Sequence, residues 1–222
     1  MKYIFIILCN SILINAFCQK DSTNLVRYDF SFRFNDGLYL DFSGVLTNNA
    51  IPFERIVEPS SDDPSFFELL DEIKTVKYYD NFGSLKEINI INVWGYSRHG
   101  KPYVYWAGKF NLISYLGSVS HFVTTVMVQY TTGGYDPFYG SYYYNNYYPP
   151  RTYRSEELKQ FFIDFETGKV FPADSKSVEV LLSKEPELQK EFSKLGKRKK
   201  NKRMFDYIRQ YNELKPLYII KS

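Results

Sequence analysis

The only two cysteines of this 222-residue chain, Cys9 and Cys18, both lie within its first eighteen residues. Everything after them must fold without a disulfide, a thiolate metal site or a cysteine nucleophile, and must be held together by its core. The remaining length is enough for one such core. Its material is aromatic: 21 Tyr and 19 Phe stand against four Ala, a balance that favours strands over helices. With 24% charged residues, the chain is neither disordered by composition nor an integral membrane protein.

The first eighteen residues stand apart. Lys2 is their only charge, and Tyr3 to Phe17 is apolar except for Asn10, Ser11 and Asn15. That run falls short of the roughly 20 apolar residues that span a bilayer. Residues 1–18 therefore read as a secretory signal peptide, with Ala16 and Cys18 at the −3 and −1 positions and Gln19 as the new N-terminus. The expected mature chain is exported, periplasmic or extracellular, and has neither a thiol nor a transmembrane span. Lipid anchoring at Cys18 is the lesser alternative, because bulky Phe17 precedes it.

Patterning predicts one α+β domain over residues 19–222, a mainly antiparallel, possibly rolled sheet of hairpins followed by two or three C-terminal helices. Val26, Tyr28, Phe30, Phe32 and Phe34 alternate with polar residues and predict a strand over 26–34. Asn35-Asp36-Gly37 supplies a turn, residues 38–42 continue as strand, and Asn48-Asn49 with Pro52 marks a break. A short helix is expected near 64–73, capped by Asp63. Residues 74–130 read as a run of strands, with turns at Asn81-Phe82-Gly83 and Arg98-His99-Gly100 and later strands at 109–115 and 119–130. Strands at 158–165 and 169–172 flank Glu166-Thr167-Gly168. Ser175 is expected to cap a first C-terminal helix. Pro186 opens a second, which stops at Gly196, and a third covers 199–213.

Two stretches invite a functional reading. Residues 131–153 form a Tyr/Gly/Asn-rich loop that includes Tyr139, Tyr142, Tyr143, Tyr144, Tyr147 and Tyr148. Connections beyond about 12–15 residues are uncommon unless functional or disordered, and this mixture is the one adaptable binding loops use. The loop is read as a contact surface for a glycan or another envelope protein, against the plainer alternative of a tolerated insertion. The second stretch is the basic helical tail, residues 194–222, with ten basic residues against Asp206 and Glu213, net +8. Lys197, Arg198, Lys199, Lys200, Lys202 and Arg203 are candidate contacts for anionic lipid or polysaccharide, and simple solvation is the alternative. Nucleic acid is not the expected partner, since the aromatic residues that would stack bases sit elsewhere.

Enzyme signatures are sparse. There is no phosphate-cradling Gly loop, no paired-His metal helix and no Ca²⁺ loop, so neither cofactor nor metal is expected and no catalytic residue is assigned. Gly95-Tyr96-Ser97-Arg98-His99-Gly100 departs from a nucleophile elbow, which needs Gly where His99 stands. The leading function is a non-catalytic binding or structural module of the cell envelope. The rival is an envelope hydrolase built from scattered acids with His99 and His121.

Several short motifs also resemble, in type and order, an uncharacterised family of exported proteins of Bacteroidota-type bacteria. They are Asp36-Gly37-Leu38-Tyr39, Asn48-Asn49-Ala50-Ile51-Pro52, Trp94-Gly95-Tyr96, Gly100-Lys101-Pro102-Tyr103, Asp164-Phe165-Glu166-Thr167-Gly168-Lys169 and Tyr211-Asn212-Glu213. Asp21-Ser22-Thr23 is similar to the short O-glycosylation acceptor of such bacteria. The resemblance implies export and one shared architecture, and no activity.

Overall fold

The computed structural model describes residues 24–132 and 151–220. The proposed signal peptide and Asp21-Ser22-Thr23 lie outside them. In chain order the elements are β1 (Leu25–Arg27), β2 (Gly37–Tyr39), α1 (Phe42–Leu46), β3 (Ile56–Glu58), α2 (Phe66–Glu72), β4 (Thr75–Tyr79) and β5 (Leu85–Asn89). Then come β6 (Gly95–Arg98), β7 (Lys101–Trp106), β8 (Lys109–Tyr115), β9 (Val119–Thr132), β10 (Arg151–Asp164) and β11 (Lys169–Pro172). Three helices, α3 (Ser175–Leu181), α4 (Pro186–Ser193) and α5 (Lys197–Leu214), precede the short β12 (Tyr218–Ile220). The fold is α+β, with mainly antiparallel sheets and C-terminal helices.

The central sheet has seven antiparallel strands in the order β11-β10-β9-β8-β7-β6-β2. It curls. Trp106 of β7 and Phe161 of β10 are three strand spacings apart, about 14 Å on a flat sheet, yet their rings lie 5.9 Å apart. Strand alternation then assigns each face its own core. One face buries Tyr39, Val104, Ile113, Phe122 and Ile163 against Val45 of α1, Phe34, Leu217 and Ile219; here β1 and β12 pair as a separate two-stranded ribbon. The other face is covered twice. At its β2–β8 end, Leu38, Tyr96 and Phe110 pack on α2 and the small sheet β3-β4-β5 through Phe66, Leu70, Val76 and Tyr78. At its β9–β10 end, Val119 and Phe162 pack on α3, α4 and α5 through Val178, Leu181, Phe192, Tyr207 and Ile208. Each fully buried aromatic or aliphatic side chain contributes roughly 1.5–3 kcal/mol, so three aromatic-rich clusters can hold a chain that has no disulfide among its described residues.

The expected strand over 26–34 is not formed beyond Arg27. Asp29 accepts hydrogen bonds from the Ser31 N–H (2.7 Å) and hydroxyl, and its carbonyl accepts from the Phe32 N–H (3.1 Å). Local side-chain to backbone bonds of this kind displace a ladder. The chain turns, Phe30 is left 91% exposed, and Tyr28, Phe32 and Phe34 gather as an aromatic cluster. Strand 38–42 likewise ends at Tyr39, because the Asp41 carboxylate accepts from the Gly44 N–H at 2.8 Å and starts α1. The cap expected at Ser175 is instead Asp174, which accepts from the Ser177 N–H at 2.8 Å. Asp63 stabilises the turn before α2 by accepting from the Ser65 N–H rather than capping the helix. Gly196, expected as the C-terminal stop of the helix before it, has φ −66° and is the N-cap of α5.

Candidate functional site

The β9–β10 hairpin extends beyond the strands that flank it. β8 pairs with β9 only as far as Phe122, and β11 pairs with β10 only as far as Phe161. Beyond those residues, Val123–Thr132 and Arg151–Gln160 have, among the described residues, only each other as strand partners. Ten residues a strand make a ribbon roughly 33 Å long. The ends of the expected loop at 131–153 therefore belong to this ribbon, which runs to Thr132 and resumes at Arg151.

A two-stranded ribbon has no core of its own, and this one shows apolar side chains to solvent. Met127 is 61% and Leu158 75% exposed, and both lie on the face that packs the helices lower down. Tyr130 and Tyr153 stack across the opposite face at 5.3 Å, both still exposed. The two edges differ in character. Arg154, Glu156, Glu157 and Lys159 charge the β10 side, whereas Val123–Thr132 contains no charged residue. The six tyrosines singled out from sequence, Tyr139, Tyr142, Tyr143, Tyr144, Tyr147 and Tyr148, lie outside the described residues, in the segment joining the two strands.

The basic residues of the tail open α5, whose first turn holds no acidic residue. The structure divides the six candidates. Lys200 forms an ion pair with Glu179 of α3 and lies over the Phe192 ring at 5.7 Å. The Arg203 guanidinium lies 5.2 Å over Tyr207. Among the described residues, Lys197, Arg198, Lys199 and Lys202 form no ion pair, and all four are exposed. Four cations within six positions oppose the helix dipole, so they do not serve α5 itself.

The two histidines are not brought together. His99 sits in the β6–β7 turn at φ 54° with its backbone N–H donating to Asp36 at 2.8 Å, whereas His121 is on β9, with β7 and β8 between. His121 Nδ1 is 3.2 Å from the Ser114 hydroxyl and Nε2 is 3.1 Å from Gln160 Oε1. Burial beside Phe162 and Phe205 holds its imidazole below the ordinary value of 6.5. The outer partner is an uncharged amide, which cannot stabilise an imidazolium as a carboxylate does. Among the described residues no cluster of three or more His, Cys, Asp or Glu is placed to hold a metal ion, and no helix is long and apolar enough to cross a membrane.

One feature escaped the sequence reading. A cavity of about 580 Å³ lies beside the β10–β11 turn, lined by Asp164, Glu166, Lys184, Tyr211 and Lys215 among others. Lys184 bridges Asp164 (3.2 Å) and Glu166, and Lys215 pairs with Glu185 at 2.8 Å. Asp164 also accepts from the Glu166 N–H and the Thr167 hydroxyl. The charges neutralise one another, and the cluster reads as the fastening of the turn to the helices. The turn at Glu166-Thr167-Gly168 is legible in the sequence, but its distant lysine is not.

The motifs quoted for the family resemblance are joints of the same kind. Asp36 accepts from the N–H groups of His99 and Gly100 and from the Ser97 hydroxyl. The Asn48 side-chain oxygen accepts from the Asn35 N–H and the buried Tyr39 hydroxyl, both at 2.8 Å. Asn212 binds the N–H and carbonyl of Val119, both at 2.8 Å. Asp71, in the last turn of α2, likewise accepts from the Phe110 N–H at 2.7 Å, tying α2 to β8, and burial raises its carboxyl above the ordinary value.

No curated protein and no solved structure matches the chain. Residues 142–215, which run through β10, β11 and the helices to the end of α5, match a family of unknown function (DUF6563).

Proposed function

We propose that this chain is an exported, non-catalytic contact module of the cell envelope that presents the β9–β10 ribbon to its partner. The observation that carries the reading is the ribbon itself. It outruns the sheet on both sides, exposes Met127, Leu158, Tyr130 and Tyr153, and needs none of them for the three cores. The segment at its end adds Tyr139, Tyr142, Tyr143, Tyr144, Tyr147 and Tyr148, residue types suited to a glycan or a protein surface. Export to the periplasm or beyond rests on the signal pattern of residues 1–18.

Replacing residues 125–158 by an Asn-Gly turn is expected to leave the melting temperature within a few degrees of the parent and to abolish retention of purified envelope glycans and envelope proteins. Deleting only 135–150 separates the contribution of the tip from that of the ribbon. Equal retention by all three chains, or none by the parent, overturns the reading.

Lys197, Arg198, Lys199 and Lys202 of α5, which form no ion pair among the described residues, support a second contact, with anionic lipid or polysaccharide. K197E/R198E/K199E/K202E is expected to fold normally and to lose salt-sensitive binding to anionic vesicles or to an acidic polysaccharide column. Unchanged elution would assign those residues to solvent.

A further inference from the structure

The outer edge of β9 is unusual for a protein strand. Exposed edges are normally blunted by charge, by proline or by a bulge. Past Phe122 this edge has no neighbouring strand among the described residues, and it carries no charged residue and no proline. Its residues, Val123-Thr124-Thr125-Val126-Met127-Val128-Gln129-Tyr130-Thr131-Thr132, are almost all strong strand formers. The partner strand β10 is heavily charged over the same length, so the absence of protection is confined to one edge.

The edge is also nearly symmetric about Val128. Laid antiparallel against a second copy of itself, it sets Thr125 opposite Thr131, Val126 opposite Tyr130, Met127 opposite Gln129 and Val128 opposite Val128. Thr–Thr and aromatic–β-branched pairs are among the favourable cross-strand combinations, at roughly 0.2–1 kcal/mol each beyond the backbone bonds. A two-fold axis normal to the ribbon keeps each face on its own side, so Val126 of one copy meets the exposed Tyr130 of the other on the face of the Tyr130–Tyr153 stack. In this register the Phe122 positions, where each ribbon leaves its sheet, lie about 40 Å apart, and the two bodies sit at opposite ends. Because the edge is neutral, this self-pairing sets no like charges opposite one another.

The geometry points to a second copy of this chain as the occupant of the β9 edge, joined by antiparallel strand addition about Val128 into a four-stranded ribbon β10-β9-β9-β10. The inference rests on the reading of the ribbon as a contact surface and names its partner. Such a pairing is isologous and closes as a dimer.

Sedimentation velocity of the full chain at micromolar concentrations tests it. The parent is expected to be a dimer. M127K/Q129K changes two exposed positions and brings lysines together across the two-fold, which is expected to weaken association at least tenfold. M127K/Q129E places opposite charges there and is expected to stay dimeric. In a C9S/C18S background, V128C is expected to cross-link with itself on oxidation. M127C is expected to cross-link on mixing with Q129C and not with a further copy of M127C, because directly opposed residues meet disulfide spacing. A parent that remains monomeric overturns the dimer whatever the ribbon retains from the envelope. A dimer insensitive to M127K/Q129K, or cross-links that ignore this register, also overturns it.

Discussion

Gly95→Ala is expected to unfold the chain or cost it roughly 3 kcal/mol or more, read as a fall in the urea midpoint at unchanged slope. Gly95 faces Val104 across the β6–β7 pairing. A Cβ placed on it would stand 1.9 Å from the Tyr103 carbonyl oxygen and 3.0 Å from its carbon. Both contacts are with backbone, which cannot swing aside as a side chain can. Relief would require β6 to move off β7, which would separate Tyr96 from Tyr103, now stacked at 4.7 Å, and carry β2 away with β6. Gly83 provides the contrast. It meets nothing within 4 Å but has φ +75°, so Gly83→Ala is strained only by its backbone, at about 1 kcal/mol. A Gly95→Ala chain within 1 kcal/mol of the parent would show that β6 is not held at this distance.

Asn212→Ala is expected to lose about 2–4 kcal/mol, since it leaves both the N–H and the carbonyl of Val119 without the partner they now have. The Asn212 side chain acts as a single residue of strand. Its oxygen accepts from Val119 and its amide donates back, both at 2.8 Å, and Val119 is only 1% exposed. Through this pair α5 is locked to the first residue of β9, at the foot of the ribbon. Asn212→Asp keeps the acceptor and loses the donor, so it should fall between the parent and Asn212→Ala. Chemical denaturation ranks the three. A loss below about 1 kcal/mol for Asn212→Ala would show that this pair does not hold α5 to β9 and would reopen a functional role for Asn212.

Much of the fold was legible because its signals are local. The turns at Asn81-Phe82-Gly83 and Arg98-His99-Gly100 join β4 to β5 and β6 to β7 as expected. Pro186 opens α4, and Ile208 with Tyr211 forms the buried stripe of α5. Where the reading failed, a longer-range or competing bond decided. The alternation over 26–34 was real in pattern, but the Asp29 carboxylate bent the backbone. The ends of the loop expected at 131–153 belong to strands, because β9 and β10 stabilise each other out to Thr132 and Arg151. The site was less legible than the fold. The clustering of basic residues was plain in the sequence, but which of them are held cannot be read without Glu179, Phe192 and Tyr207 being brought beneath them.

By itself the sequence determined the class of the fold, the need for an aromatic core after the last cysteine, and the separation of charge into the tail, because composition and periodicity act residue by residue. Only the tertiary structure decided that one hairpin outruns its sheet. A strand becomes an edge where its neighbours stop, and β8 and β11 stop at Phe122 and Phe161 for reasons that lie in other parts of the chain. The neutrality of Val123–Thr132 is visible in the sequence, but it acquires meaning only because no strand among the described residues lies beside it.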